Sequence, residues 1–324
     1  MSIYQLFAPN GPSGFGYGST AEQVTAGLSL QGKTMLVTGC NSGLGLETMR
    51  VLALRGARVA GTARTREKAD AAGRSVKGET LPFACELSEP ASVLACIAAV
   101  KAAGLKLDAI ICNAGIMALP KLEKAHGYEQ QFFTNHIGHF ILVTGLLDQL
   151  TESGRVVVLS SDLHRRAPKG GVDFGNLDGS KWYDGWKSYA QSKFANVLFA
   201  KELARRFQGT KRTANAVHPG VIATNLGRHM NRLVWAVYSA VGPLFLKTVP
   251  QGAATQVYVA TNPALDGVSG EYFADCNVAK PRRDTNDTAL SQKLWEVSEK
   301  IVAGLPKKES DAGRAATSYE AHAR

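Results

Sequence analysis

The sequence has little of what marks secreted, membrane-spanning or metal-dependent proteins. Its five cysteines (Cys40, Cys85, Cys96, Cys112 and Cys276) are scattered over 324 residues without a CxxC pair. Neither a disulfide framework nor a zinc site is expected from that spacing, and a reduced, cytoplasmic setting follows. No apolar run reaches the roughly 18 residues of a membrane span. The longest candidate, Leu233 to Leu246, is interrupted by Gly242-Pro243 and flanked by Arg228, Arg232 and Lys247. It reads as a substrate lid or a peripheral membrane contact. The opening MSIYQLFAPNGPSGFGYGST carries neither a basic n-region nor a sustained apolar h-region, which argues against a secretory signal. No internal repeat is present.

Acidic residues are also scarce, 27 against 37 Lys and Arg, for a net charge of +10. The basic residues are spread along the chain with no nucleic-acid motif among them, so no nucleic-acid partner is expected. A generally basic surface favours anionic ligands, a phosphorylated cofactor among them.

What the chain does have is alternation. Apolar runs KTMLVT, RVAGTA, LPFACE, DAIIC, RVVVLS, TANAVH and GEYFAD are separated by helical patterns of crossover length. This predicts an α/β fold, a single Rossmann-type doubly wound parallel sheet of about seven strands with helices on both faces. Runs such as RVVVLS, apolar throughout rather than alternating, suit strands covered on both sides. The catalytic domain is expected over residues 31–304, with substrate insertions at about 162–187 and 224–250. Residues 1–30 form an arm and 305–324 a polar tail, both expected to be loosely held.

The first strand runs into Thr38-Gly39-Cys40-Asn41-Ser42-Gly43-Leu44-Gly45, and a helical pattern follows. Strand, glycine turn and helix in that order let the backbone approach a pyrophosphate, whose charge the free N–H groups and the helix dipole stabilise. Downstream, Tyr189 and Lys193 lie four residues apart, on one face of a helix. A nearby ammonium lowers the pKa of a phenol, so Tyr189 can exchange a proton with a carbonyl or an alcohol. Ser160 and Ser161 close the strand RVVVLS at its carboxyl end, where open α/β sheets bind ligands. Arg64 follows the second strand, where a guanidinium can bind a ribose 2′-phosphate bidentately and a carboxylate would repel it. NADP(H) is therefore expected rather than NAD(H), with Arg66 and Lys68 as neighbours able to share the role.

The spacing TGxxxGxG, with YxxxK in its proper order, resembles the short-chain dehydrogenase/reductase family. That resemblance implies cofactor contacts from Gly39, Asn41, Ser42, Gly43, Leu44 and Gly45. It adds Glu86 and Leu87, where the family usually has Asp, then the Asn113-Ala114-Gly115 signature, then Pro219, Gly220, Val221 and Thr224. It implies a catalytic set of Asn135, Ser161, Tyr189 and Lys193, with the last two also touching cofactor, and a dimer or tetramer built through two long helices. His136 and His139 flank Asn135 without a third ligand at metal spacing, so no metal is expected. The stretches Asn135-His136-Ile137-Gly138-His139-Phe140, Ser160 to His164 and Gln251 to Thr255 resemble the retinol-dehydrogenase-like branch, including the oxidoreductase domain of WW-domain-containing oxidoreductases. Phe174, Trp182, Tyr183, Trp186, Trp235, Tyr238 and Phe245 in the two insertions either line an apolar pocket for a hydrophobic substrate or pack the insertions onto the sheet. The implied reaction interconverts an alcohol with an aldehyde or ketone. The alternatives are a light-dependent or other double-bond reductase on the same fold and a non-catalytic nucleotide sensor.

Overall fold

The computed structural model describes residues 9–222 and 246–306. Along the chain run β1 (Thr34–Val37), α1 (Gly43–Leu54), β2 (Arg58–Ala63), α2 (Arg66–Arg74), β3 (Thr80–Ala84), α3 (Pro90–Ala102), β4 (Leu107–Cys112), α4 (Gly138–Leu146), β5 (Leu150–Leu159), α5 (Gly185–Arg206), β6 (Thr213–His218), α6 (Val249–Thr261), β7 (Tyr272–Ala274), β8 (Asn277–Val278) and α7 (Thr288–Ala303). These eight strands form one sheet in the order β8-β7-β6-β5-β4-β1-β2-β3, and a separate small hairpin pairs Lys124–Ala125 with Tyr128–Glu129. Every pair in the large sheet is parallel except β7 with β8.

The strands are apolar on both faces because both faces are covered. Val156, Val157 and Val158 of β5 are fully buried in succession. Val156 and Val158 join the core formed with α3, α4, α5 and α7. Val157 faces the opposite core, formed with α1 and α6. The doubly wound sheet is as the alternation predicts, with one strand more than expected. The extra strand, β8, has two residues, too few for any period to register.

The chain winds outward from β1 to β3, then crosses back to place β4 on the other side of β1. Strand order reverses between β1 and β4, and the carboxyl ends of these strands define the crevice where such sheets take ligands.

The described part of the arm is held rather than loose. Ser13 N donates to Asn277 Oδ1 at 3.0 Å, and the ring of Phe15 meets that of Tyr258 edge-on at 5.7 Å. A short helix, Ala21–Val24, carries a reciprocal cap between Thr20 and Gln23. The contacts of Ser13 and Phe15 reach residues over 200 positions away, which no local polarity count can anticipate. Most of the 224–250 insertion lies outside the described residues, Thr224, Trp235, Tyr238 and Phe245 included.

Candidate active site

The crevice is built around Thr38, the buried residue after β1. Its Oγ1 accepts N–H bonds from Asn113 at 2.9 Å and Ala114 at 3.0 Å. Its carbonyl accepts from Asn113 Nδ2 at 2.8 Å, and Asn113 Oδ1 accepts from Gln256 Nε2 at 3.0 Å. The glycine turn and the Asn113-Ala114-Gly115 segment are thereby locked together.

Gly39 has φ +73°, and Gly45 lies so close that a Cβ there would stand 2.1 Å from Gly39 O. Only glycine lets the first turn of α1 pass over that carbonyl. Ser42 enters α1 in extended conformation without capping it through its side chain, and Asn41 and Ser42 are exposed. The first-turn N–H groups are therefore oriented outward from an open helix start, as an anionic pyrophosphate requires. Leu44 packs toward α6 at Gly252.

Arg64 follows β2 with 68% of its side chain exposed and Nε 3.6 Å from Glu86 Oε2. Glu86 Oε1 also accepts from the Ser88 hydroxyl at 2.9 Å. Leu87 is buried, with its carbonyl hard against Gly138. The structure brings Arg64 and Glu86 together beside the glycine turn.

On the other side of the crevice, Ser160 and Ser161 divide as neighbours on a strand must. Ser160 turns inward and its hydroxyl donates to Lys193 O at 2.7 Å. Ser161 faces out, accepts from Leu163 N at 3.2 Å and stands near enough to the Tyr189 hydroxyl to act on its pKa. The buried His164 steadies it. Nδ1 of His164 donates to Ser161 O at 2.6 Å, which leaves Nε2 to accept from Arg282 N at 2.9 Å.

Lys193, one turn along α5 from Tyr189, is buried. Its ammonium donates to Leu159 O at 3.0 Å and lies 5.7 Å from the Tyr189 ring centre. A Cβ on the exposed Gly115 would meet Lys193 Nζ at 3.4 Å and Asn135 Oδ1 at 3.1 Å, so three sequence-distant motifs converge here. Burial lowers the Lys193 pKa to about 8 and raises that of Tyr189 to about 12, the neighbouring Ser161 opposing the latter. The sequence reading expects a depressed tyrosine; desolvation here acts in the opposite direction, and the ammonium is committed to a strand carbonyl.

Asn135 lies in a π-helical turn, Phe133–Ile137, just before α4. Its amide brackets Ile116, accepting from Ile116 N at 2.8 Å and donating to Ile116 O at 2.9 Å, and also donates to Ser192 Oγ at 2.9 Å. One extra residue in a helical turn swings a side chain out of the regular face, and such turns recur at functional sites.

His139 completes the frame. Nδ1 donates to Asn135 O at 3.0 Å, so Nε2 must accept, and the Thr38 hydroxyl donates to it at 2.9 Å. This works only for neutral imidazole. Burial lowers its pKa to about 4, with the Asn135 carbonyl opposing and Lys193 assisting. An unfolded histidine protonates near 6.5, so the unfolded chain gains protons first as pH falls. Stability should be full above about pH 6.5 and decline toward pH 4, this group contributing on the order of 3 kcal/mol. Thermal melts of His139→Gln should show a shallower decline over that window; an unchanged slope would remove His139 from the account.

After β6 the chain makes Pro219-Gly220-Val221, with Gly220 at φ +90° and Val221 half exposed. Thr224 lies outside the described residues. In the 162–187 insertion, Trp182 Nε1 donates to Asp173 Oδ2 at 2.9 Å and the Tyr183 hydroxyl to Leu119 O at 2.7 Å. Those two aromatics pin the insertion down. Trp186 instead borders a cleft of about 240 Å³ with Leu163, Arg166, Asp184 and Lys187, beside Ser161 and Tyr189 in the chain. Among the described residues there is no cluster of three or more His, Cys, Asp or Glu able to hold a metal, and no helix long and apolar enough to cross a membrane.

Thr38, His139 and His164 lie in stretches that the sequence reading names without assigning them these contacts, and Gln256 lies just beyond such a stretch; a polar residue in the sequence does not say what it touches.

A glycine turn opening a helix at a strand-order switch, with a neighbouring tyrosine, serine and buried ammonium, belongs to the nicotinamide-dependent oxidoreductases. Residues 33–234 match the family model for short chain dehydrogenases, and the chain is a member of that family, in its retinol-dehydrogenase-like branch. It is 41% identical over 322 residues to short-chain dehydrogenase TIC 32 B, chloroplastic, of Brassica napus, covering 94% of this chain and 100% of the relative. It is 38% identical to human retinol dehydrogenase 14, covering 86% and 88%. Among solved structures, an uncharacterised protein of Mycobacterium paratuberculosis superposes with TM-score 0.69 at 31% identity, covering 86% of this chain and 96% of that one. A short chain dehydrogenase of Burkholderia cenocepacia in complex with NADP gives TM-score 0.61 at 26% identity, covering 76% and 96%.

Proposed function

We propose that the protein is an NADP(H)-dependent oxidoreductase that interconverts an alcohol with its aldehyde or ketone, on a hydrophobic substrate. The observation that carries the reading is the convergence of Ser161, Tyr189 and Lys193 at the carboxyl end of β5, where the Ser161 hydroxyl acts to lower the Tyr189 pKa and the Lys193 ammonium lies 5.7 Å from the tyrosine ring. The fit of a dinucleotide rests on the glycine turn, where Gly39 and Gly45 keep side chains out of the backbone's approach. Gly39 to Gly45, Asn113 to Gly115 and Pro219 to Val221 would hold it, and it would supply or accept the hydride.

The chain's own groups handle the proton. In reduction, Ser161 and Tyr189 hydrogen-bond the carbonyl oxygen, and Tyr189 delivers its proton as negative charge builds there. With its pKa near 12, Tyr189 is fully protonated at neutral pH and ready to donate. In oxidation the same hydroxyl must first be ionised, and the Lys193 ammonium is the positive charge available to favour that. Asn135, fixed to Ile116, holds the loop after β4 in place beside Lys193.

Preference for the 2′-phosphorylated cofactor rests on Arg64, which is exposed and within reach of the adenosine side of the crevice. Arg64→Ala should weaken NADPH binding by about 1.5–3 kcal/mol and leave NADH nearly unchanged. Equal losses for both in parallel titrations would sink the assignment. A panel of hydrophobic aldehydes and ketones, with retinoids first because relatives are named retinol dehydrogenases 11, 12 and 14, tests the substrate class. NADPH bound but consumed by none of them would favour a sensing role. Five free, buried thiols suit a reducing compartment.

A further inference from the structure

Lys247 stands directly beneath the turn that follows β6. Its side chain has no exposed surface, and its Cδ would lie 2.5 Å from a Cβ on Gly220. The lysine stem thus occupies the space in which any other residue at position 220 would place its side chain. The main chains are tied as well: Lys247 N donates to Val221 O at 2.8 Å, and Ile222 and Lys247 form an isolated parallel bridge.

At the far end of the stem the ammonium pairs with Asp275 Oδ1 at 2.5 Å and lies 4.9 Å from the centre of the Tyr17 ring, in the arm. Asp275 and Cys276 form the two-residue turn between β7 and β8, with φ of +50° and +61°. Two consecutive non-glycine residues in that region are costly and persist only where their surroundings fix them. Cys276 N donates to Thr255 Oγ1 at 3.2 Å, and Asp275 is held by the lysine.

Burying an ammonium is unfavourable unless it is paired, and a methionine stem would fill the same volume without that cost. What the charge adds is a fixed end-point. The ion pair and the aromatic face confine the tip between Asp275 and Tyr17, and with it the stem that props the turn.

We infer that Lys247 is a positioning residue for the nicotinamide end of the cofactor: an ion-paired strut that sets Pro219-Gly220-Val221 relative to Tyr189 and Ser161. This rests on reading that turn as the nicotinamide contact.

The test uses the full chain with Lys247→Met, which keeps the stem, and Asp275→Asn, whose side chain is 41% exposed and tolerant of change. NADPH and 2′-phospho-ADP-ribose, the same molecule without nicotinamide, are titrated against each variant, alongside melting temperature and kcat. Lys247→Met should weaken NADPH about tenfold and lower kcat comparably, with the ribose analogue within about twofold of wild type. Asp275→Asn should show the same split at about a third of the size. A merely structural lysine would move both ligands together, and that result overturns the inference, as does NADPH binding left at the wild-type level. Failure of both variants to fold would reduce Lys247 to a folding residue and overturn it too. If the wild type itself binds neither NADPH nor NADH, the underlying reading of the crevice fails first, and the two failures are thereby told apart.

Discussion

Tyr189→Phe is expected to lower turnover by about 10²–10⁴ while NADPH affinity and melting temperature stay near wild type. The argument is local. The phenyl ring keeps its packing on α5, and Ser161, which is only half-buried and still accepts the Leu163 N–H at 3.2 Å, can turn its own O–H to solvent. What disappears is the proton. The pH profile adds a second signature. Burial holds the phenol at about 12, so carbonyl reduction should be flat through neutral pH, whereas alcohol oxidation should rise as pH increases toward the tyrosine's ionisation. The variant should lose that rising limb along with its rate. Near-wild-type turnover on a verified substrate would require another proton donor.

Lys193→Met should separate stability from function. Burial depresses this lysine to about 8, against 10.5 for a free one. Below pH 8 both folded and unfolded chains carry the charge, and the folded state bears a desolvation cost on the order of 3 kcal/mol. Between pH 8 and 10.5 the folded protein releases the proton first, so wild-type stability should rise across that window, a rise the methionine variant cannot show. Removing the ammonium leaves no orphan, because Leu159 O still accepts from Asn196 Nδ2 at 2.9 Å. The variant should therefore melt at least as high as wild type at neutral pH while turnover falls by about 10² or more. A variant that melts lower and keeps its activity would show that the buried charge serves the fold and not the reaction.

The parts of this site that were legible in the sequence are those whose chemistry is written in consecutive residues. Gly39 and Gly43 are needed for their positive φ and Gly45 for the close crossing of the Gly39 carbonyl, and Tyr189 and Lys193 share a helix face through simple periodicity. The division of labour between Ser160 and Ser161 needed the strand's facing, which a motif alone leaves open until the resemblance to a family resolves it. The Thr38–His139–Asn135 connection was not legible, because its members lie about 100 positions apart and meet only after β1, β4 and α4 have packed. For the same reason the desolvation of Tyr189 was not legible: spacing reveals a neighbouring ammonium but not how much water has been removed. Hydrophobic lining of the pocket was read only in part, since Trp182 and Tyr183 spend their polar tips on holding the insertion closed.

The π-helical turn at Phe133–Ile137 makes the length of this stretch a fixed quantity. Deleting one residue there would let the backbone relax into ordinary α-helix and rotate the preceding segment by about 100° relative to α4. The packing of Gly138–Leu146 on the sheet would survive, and so would secondary-structure content, yet Asn135 would swing away from Ile116 and the loop it brackets. A deletion outwardly harmless to the fold would thus disconnect the two halves of the crevice, and any change in chain length that this protein tolerates must fall on either side of that turn.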